Sequence, residues 1–278
     1  MKKNPIIKKA SGEQEPFSIE KLENSLKRSG AKDDIIDSIK DDIWQSLYDG
    51  ISTRKIYKKA FELLRKEQRS MAARYSLKKA IMQFGPTGYP FEHFVAQILA
   101  CQGYKIKIGK TIQGHCVTHE VDVIATNNDT QCLIECKFYN SQGKYCSVQV
   151  PLYIRSRVDD IVKKREQLNK FENFEFQGWV VTNTRFTTEA IDYGLCAGLT
   201  MVSWDFPKKS SLKYLVEKHR IFPITVLTHL TKKHKEFLLE NGIVICRQLI
   251  KKPNMLDQFS MTDKKRELII KEANELCV

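Results

Sequence analysis

The stretch from His119 to Lys137 reads H-E-V-D-V-I-A-T-N-N-D-T-Q-C-L-I-E-C-K, and it predicts two short strands joined by a polar turn. Val121, Val123 and Ala125 alternate with Glu120, Asp122 and Ile124, and then Cys132, Ile134 and Cys136 alternate with Leu133, Glu135 and Lys137. Asn127, Asn128 and Asp129 between them are turn formers. Side chains repeat every two residues along a strand, so Glu135 and Lys137 are expected to share a face, as are Glu120 and Asp122. Paired with those faces matched, the strands would gather carboxylates and one ammonium group on a single patch. Asp122 and Glu135 would then be hard oxygen ligands for Mg²⁺ or Mn²⁺. The metal would acidify a bound water, and Lys137 would act as a fixed cation for a charged transition state. Read alone, the pattern also fits the charged outer face of an amphipathic hairpin.

The flanking sequence chooses between these readings. Upstream stands G-P-T-G-Y-P-F-E (Gly85 to Glu92) at the entry to a helix, and downstream Q-V-P-L-Y (Gln149 to Tyr153). T-N-T-R-F-T (Thr182 to Thr187) and S-W-D (Ser203 to Asp205) follow. Together with Asp122, Glu135 and Lys137, these resemble the PD-(D/E)xK nuclease superfamily, and most closely its Mrr-type restriction endonuclease branch. Val121–Asp122 stands where the family name has Pro-Asp. The resemblance implies Asp122, Glu135, Lys137, Gln149 and Glu92 as catalytic residues, with Asp122 and Glu135 on the metal. It implies DNA contacts from Tyr153 and Arg157, on one face of a helix that begins near Val148. His93, His115 and His119 lack metal-ligand spacing with one another or with a cysteine. His119 is the one beside the patch.

The first 84 residues predict a short hairpin and then helices. Ile6 and Ile7 lead to a turn at Ser11–Gly12. Ser18 is a helix N-cap, followed by Ile19, Leu22 and Leu26 and a stop at Gly30. Ile35, Ile39, Ile43 and Leu47 form the stripe of a second helix, and Ile56, Ala60, Leu63 and Leu64 that of a third. A fourth helix is expected through Ala72, Ala73, Leu77, Ala80 and Ile81. I-K-K (Ile7 to Lys9), E-P-F-S-I-E-K-L (Glu15 to Leu22), G-I-S-T (Gly50 to Thr53) and A-A-R-Y-S-L (Ala72 to Leu77) resemble the ATP-cone, a nucleotide-sensing domain. That resemblance implies Lys8, Lys9, Lys21 and Thr53 around ATP or dATP, with Glu15 and Ser18 nearby. Lysines opposite a helix N-terminus can form such an anion site, though a solvated basic face has the same composition.

The remaining chain, from about residue 220, predicts short helices. Glu240 to Ile243 (E-N-G-I) partly resembles a helix–hairpin–helix connector whose backbone amides grip DNA phosphate; protein docking is the other reading. The expected architecture is therefore α/β and multidomain. An α-rich cone with a small hairpin (1–84) precedes a mixed sheet flanked by helices (85–212) and a small helical domain (220–278). Across the 278 residues, Lys and Arg number 46 against 33 Asp and Glu, a net charge of +13 that favours a polyanionic partner such as DNA. No apolar run is long enough to span a bilayer, so no membrane partner is expected. The basic start is followed by no secretory apolar segment. Eight cysteines without C-x-x-C spacing fit a reducing cytoplasm. The chain contains no G-x-x-x-x-G-K-[ST] loop, so nucleotide is expected to act by binding. The combined reading is a homo-oligomeric, nucleotide-regulated DNA endonuclease of restriction or phage defence. Its alternative is a nucleotide-responsive nucleic-acid-binding or assembly protein without cleavage.

Overall fold

The computed structural model describes residues 4–9, 12–141 and 143–277; Ser11 of the expected first turn lies outside them. The N-terminal unit contains β1 (Ile6–Lys8), β2 (Gln14–Pro16), α1 (Ile19–Arg28), α2 (Asp33–Gln45), β3 (Ile51–Ser52), α3 (Thr53–Glu67), α4 (Arg69–Tyr75) and α5 (Leu77–Ile81). Strand β1 pairs antiparallel with β2 and parallel with β3. Ser18 caps α1 by accepting from the Lys21 amide at 3.2 Å. Ile7, Leu22, Leu26, Ile36, Ile39, Ile43, Ile51, Ile56, Ala60, Leu64 and Ala72 form the unit's own core. Two expectations shift. Because α2 starts at Asp33 and ends at Gln45, its buried stripe is Ile36, Ile39 and Ile43, with Ile35 and Leu47 only partly covered. The expected fourth helix is two, divided at Ser76, whose hydroxyl donates to the Ala73 carbonyl at 2.9 Å.

The central unit runs α6 (Tyr89–Ala100), β4 (Lys105–Gln113), β5 (Thr118–Asn127), β6 (Thr130–Lys137), β7 (Tyr145–Cys146), α7 (Gln149–Arg165), β8 (Glu175–Thr182), β9 (Arg185–Phe186), α8 (Thr188–Cys196) and β10 (Thr200–Val202). Its five-stranded sheet has the order β10-β8-β6-β5-β4. Strands β4, β5 and β6 are antiparallel, while β6, β8 and β10 are parallel. Asn128, left-handed at φ 48°, makes the turn between β5 and β6, as its short polar side chain allows. Ile154, Val158 and Ile161 of α7 cover one face with Leu133 and Val180. Phe91, Phe94 and Ile98 of α6 cover the other with Val123, Ile134 and Val181. Each fully buried aromatic or aliphatic side chain here stabilises the fold by roughly 1.5–3 kcal/mol. A side chain at Gly178 would run into Val158 and Leu199, so glycine there lets α7 lie directly on β8.

Helices α9 (Leu212–His219), α10 (Lys232–Glu240), α11 (Cys246–Lys251) and α12 (Asp263–Cys277) complete the chain. Their apolar residues, among them Leu238, Leu249, Ile269 and Leu276, join the core beneath α6, together with Leu77, Ile81 and Phe84 from the end of the first unit. The connector between α10 and α11 corrects the helix–hairpin–helix reading. Asn241, Gly242 and Ile243 donate their amides to Phe237, Leu239 and Leu238, and Cys246 donates to Phe222. The amides of Val244 and Ile245 both reach the Gln248 side-chain oxygen, at 2.8 and 3.0 Å. An amide already paired inside the fold is not free for phosphate.

Candidate active site

The acidic patch forms where β5 and β6 part. Their paired register runs from Asn127↔Thr130 to Val123↔Ile134. One step further, the Asp122 carboxylate accepts the Cys136 amide at 2.7 Å. A side chain has taken the position of a ladder acceptor. The alternation of β5 breaks at the same point. Val121 packs with Ile124 on the α7 side, while Val123 and Ala125 lie on the α6 side. The uniform alternation expected from sequence holds for β6 and fails for β5 at Asp122.

Glu135, only 5% exposed, carries the densest set of contacts. Its Oε1 accepts from Tyr153 Oη at 2.9 Å and pairs with Lys137 Nζ; its Oε2 pairs with Arg157 Nη1 at 2.5 Å. Tyr153 and Arg157 arrive from successive turns of α7, and the Tyr153 ring lies beneath both cations, 5.6 Å from Lys137 Nζ and 5.4 Å from the Arg157 guanidinium carbon. Burial works to lower the Lys137 pKa. The hydrogen bonds to Glu135 and Tyr153, and the Glu135 charge, outweigh it and hold the lysine protonated. Arg157 also donates to the Glu120 carbonyl at 3.1 Å, so one guanidinium fixes both strands.

Two further carboxyls crowd this cluster. Burial pushes Asp122 up to about 6, with the Glu135 charge adding to the rise and the Cys136 amide opposing it. Burial likewise pushes Glu92 up to about 7, helped by Asp122, Glu120 and Glu135. Glu92 stands in the first turn of α6, so the helix delivers it to the patch. Half-buried carboxyls that repel one another suit a hard dication, which needs only one or two of them and keeps its waters. Asp122 and Glu135 fit that donor chemistry. Among the described residues, no group of three or more His, Cys, Asp or Glu already stands as a metal cage. Gln149 opens α7 one turn before Tyr153, and its exposed side chain makes no hydrogen bond among the described residues.

His119 has a different task. Its Nε2 lies 2.7 Å from Asp160 Oδ2 of α7. Asp160 also accepts the Cys116 and Val117 amides at 2.8 and 3.3 Å. The His119 hydrogen bond, ahead of the two amides, holds the Asp160 carboxyl well below the usual range despite some desolvation. Asp160 therefore ties the 114–119 segment to α7 just beyond the acidic patch. Sequence reasoning missed it, because its partners lie more than 40 residues upstream and an aspartate in mid-helix has no local mark.

In the first unit, Glu15 bridges Lys9 at 2.8 Å and Lys21 at 3.3 Å. The Lys9 hydrogen bond, then Lys21, keeps the Glu15 carboxyl below its ordinary value against slight desolvation. Lys8 is exposed beside them and pairs in register with Ser52; Thr53 follows as the first residue of α3. The hairpin thus brings Lys9, Lys21 and Glu15 into contact, with Ser18 capping the helix that carries Lys21, while Lys8 alternates to the other face of β1.

Comparison with known proteins gives three successive family matches. The ATP cone domain matches residues 5–81, the Restriction endonuclease family (Mrr_cat) residues 86–205, and the AF1548-like, C-terminal family residues 222–277. An uncharacterized protein of Archaeoglobus fulgidus is 31% identical over 183 residues, which span 66% of this chain and 99% of that protein. Among solved structures, the protein of unknown function AF1548 aligns with a TM-score of 0.55 at 31% identity, covering 69% of this chain and 98% of that one. The MspJI restriction endonuclease in complex with a 27-mer oligonucleotide aligns with a TM-score of 0.35 at 12% identity, covering 72% of this chain and 39% of that one. An ATP-cone followed by an Mrr-type restriction-endonuclease domain is therefore the organisation of this molecule, and no helix among its described residues is long and apolar enough to cross a membrane.

Proposed function

We propose, from the premise that this chain belongs to the AF1548-like family, that it is a metal-dependent DNA endonuclease under the control of an adenine nucleotide. The observation that carries the reading is the convergence of Asp122, Glu135, Lys137 and Glu92 at the parting of β5 and β6. Asp122 and Glu135 would hold Mg²⁺ or Mn²⁺, which supplies Lewis acidity and an acidified water when bound. Lys137, kept charged by Glu135 and Tyr153, stabilises negative charge growing on the phosphodiester. Glu92, poised near neutrality, is suited to hold or release a proton beside the reacting phosphate. Gln149, free on the same face of α7 as Tyr153, orients the water or the substrate.

Arg157 and Tyr153 link DNA contact to readiness. They occupy both oxygens of Glu135. A phosphate that draws Arg157 away would leave Glu135 Oε2 free as a carboxylate donor. Arg157 would thereby couple phosphate contact to the freeing of Glu135. In the cone, Lys9, Lys21 and Glu15, with Lys8, Ser18 and Thr53, bind ATP or dATP. Binding shifts the balance between oligomers that differ in whether two nuclease sites reach opposite strands. A cytoplasmic role in restriction or phage defence suits an enzyme of this kind.

The test is plasmid cleavage by the pure full chain with Mg²⁺, Mn²⁺ or EDTA, with and without ATP or dATP, and with sedimentation in parallel. Metal-dependent nicking that nucleotide alters is expected. Nicking that continues in EDTA, or in Lys137→Ala, would sink the proposed chemistry.

A further inference from the structure

We propose that the cleft between α3 and α5 of the cone and the 224–235 segment of the C-terminal helices is a second anion site, taking the phosphoryl oxygens of a small, multiply charged phosphate compound. The cleft has a volume of about 190 Å³ and is lined by Tyr57, Arg65, Lys79, Gln83, Thr228 and Lys235 among others, with no Asp or Glu in its wall. That is several times the ~30 Å³ share of a water molecule, and too narrow for a duplex. Among the described residues, none of Arg65, Lys79 and Lys235 is in an ion pair. Elsewhere on the chain, surface lysines do find carboxylates, as Lys58 finds Glu62 and Lys232 finds Glu236.

Tyr57 gives an independent pointer. Its ring is stacked between Phe61 and Tyr75, at 6.4 and 5.1 Å between centroids. Its hydroxyl is buried and has no hydrogen-bond partner. A buried hydroxyl without an acceptor is rare in a native fold, and Lys79 Nζ lies 5.8 Å from the centre of the same ring. Lys235 Nζ donates once, to the Thr225 carbonyl at 2.6 Å, and an ammonium group has three donors. Burial draws its pKa down to about 8; Lys79 adds to the lowering, and Glu272 and Cys246 oppose it. The cleft wall itself thus gathers donors and positive charge and no carboxylate.

This site is separate from the hairpin set. Lys9 and Lys21 face Glu15 from β1 and α1, whereas the cleft draws on α3, α5 and α10. An anion in it touches both the cone and the C-terminal helices, and so fixes one against the other. The proposal does not rest on the nuclease reading.

The experiment titrates the full chain with sodium pyrophosphate and, separately, with ATP, reading heat and melting temperature. Pyrophosphate is expected to bind and to raise the melting temperature, as any ligand selective for the folded state does. Tyr57→Phe, which removes one hydroxyl only, should weaken pyrophosphate by about 5–10-fold. Lys79→Ala, an exposed substitution, should weaken it by a similar factor, about 5-fold. In a Lys9→Ala background, where the hairpin set is weakened, the pyrophosphate losses caused by Tyr57→Phe and Lys79→Ala should persist. In that Lys9→Ala chain, ATP binding more tightly than pyrophosphate makes a nucleotide the source, and equal binding makes it a free oxyanion; either result keeps the site. No binding of either compound at about 10 mM, far above the ~1 mM of a weak site, overturns it. So does binding that Tyr57→Phe and Lys79→Ala leave untouched.

Discussion

The molecule uses the same three-charge device twice, in two different solvents. In the sheet, Glu135 lies between Lys137 and Arg157 at 5% exposure, with a tyrosine ring against both cations. In the cone, Glu15 lies between Lys9 and Lys21, with the Lys21 side chain 73% exposed. Charges withdrawn from water interact strongly and hold their partners in one geometry, whereas exposed pairs are screened and exchange readily. The first arrangement suits chemistry that needs fixed groups. The second suits a sensor whose cations must leave their resting partner for an incoming phosphate.

The sharpest way to separate the two is to remove residues 220–278. Were the helical domain over 220–278 peripheral, as the sequence suggests, its removal should only weaken DNA binding. The structure overturns that expectation, because Leu238, Leu249, Ile269 and Leu276 lie in the core beneath α6. Deletion should abolish the cooperative unfolding of the nuclease part and all cleavage. The hairpin cluster rests on a separate core, so ATP should still bind the truncated chain. Loss of nucleotide binding as well, measured by calorimetry, would mean the cone depends on the sheet.

Single substitutions should show the next largest effects. Asp122→Ala, Glu135→Ala and Lys137→Ala should each lower plasmid cleavage by about 1000-fold or more, the scale of losing a preorganised charge at a reacting centre. Glu135→Ala should also destabilise the fold by about 1–3 kcal/mol in urea denaturation, since it strips a buried acceptor from three donors. Glu92→Ala should do less to cleavage than any of the three. In the cone, Lys9→Ala and Lys21→Ala should weaken ATP by about 10-fold, the scale of a charge-assisted contact. They should leave the denaturation midpoint unmoved and the cleavage chemistry available.

The smallest effect concerns pH. The Asp160 carboxyl is depressed in the folded chain, so its contribution is fully present above its unfolded value near 4 and is lost as pH falls through the folded value. Asp160→Asn should therefore lower the melting temperature at pH 7, with a gap that narrows as pH falls below about 4. A gap that stays constant to pH 2 would make the His119 contact packing alone.

How much of this was legible depended on whether the signal was local. Asp122, Glu135 and Lys137 could be read because charged groups set into apolar strands are costly to bury and do not serve as core filler. The hairpin lysines stood out only through the resemblance to the ATP-cone, since a solvated basic face has the same composition. Asp160 could not, since its bonds to Cys116, Val117 and His119 cross from helix to loop. Nor could the break of alternation at Asp122, which exists only because a side chain bonds a neighbouring strand's amide. The Glu240–Ile243 connector misled for a similar reason. A glycine turn between helices looks alike whether its amides face a phosphate or, as here, Gln248 and the helix ends.

One core joins residues as far apart as Ala73 and Leu276, while the cone's own core closes within Ile7 to Ala72. On a ribosome, where domains fold as they emerge, that order has a consequence. The sensor can be finished while the sheet is still being made, and the scaffold beneath the acidic patch cannot close until α12 is free. A nascent chain would thus close its cone before the acidic patch of the sheet has its full scaffold. Interrupted synthesis would leave fragments with a closed cone and an unfinished sheet.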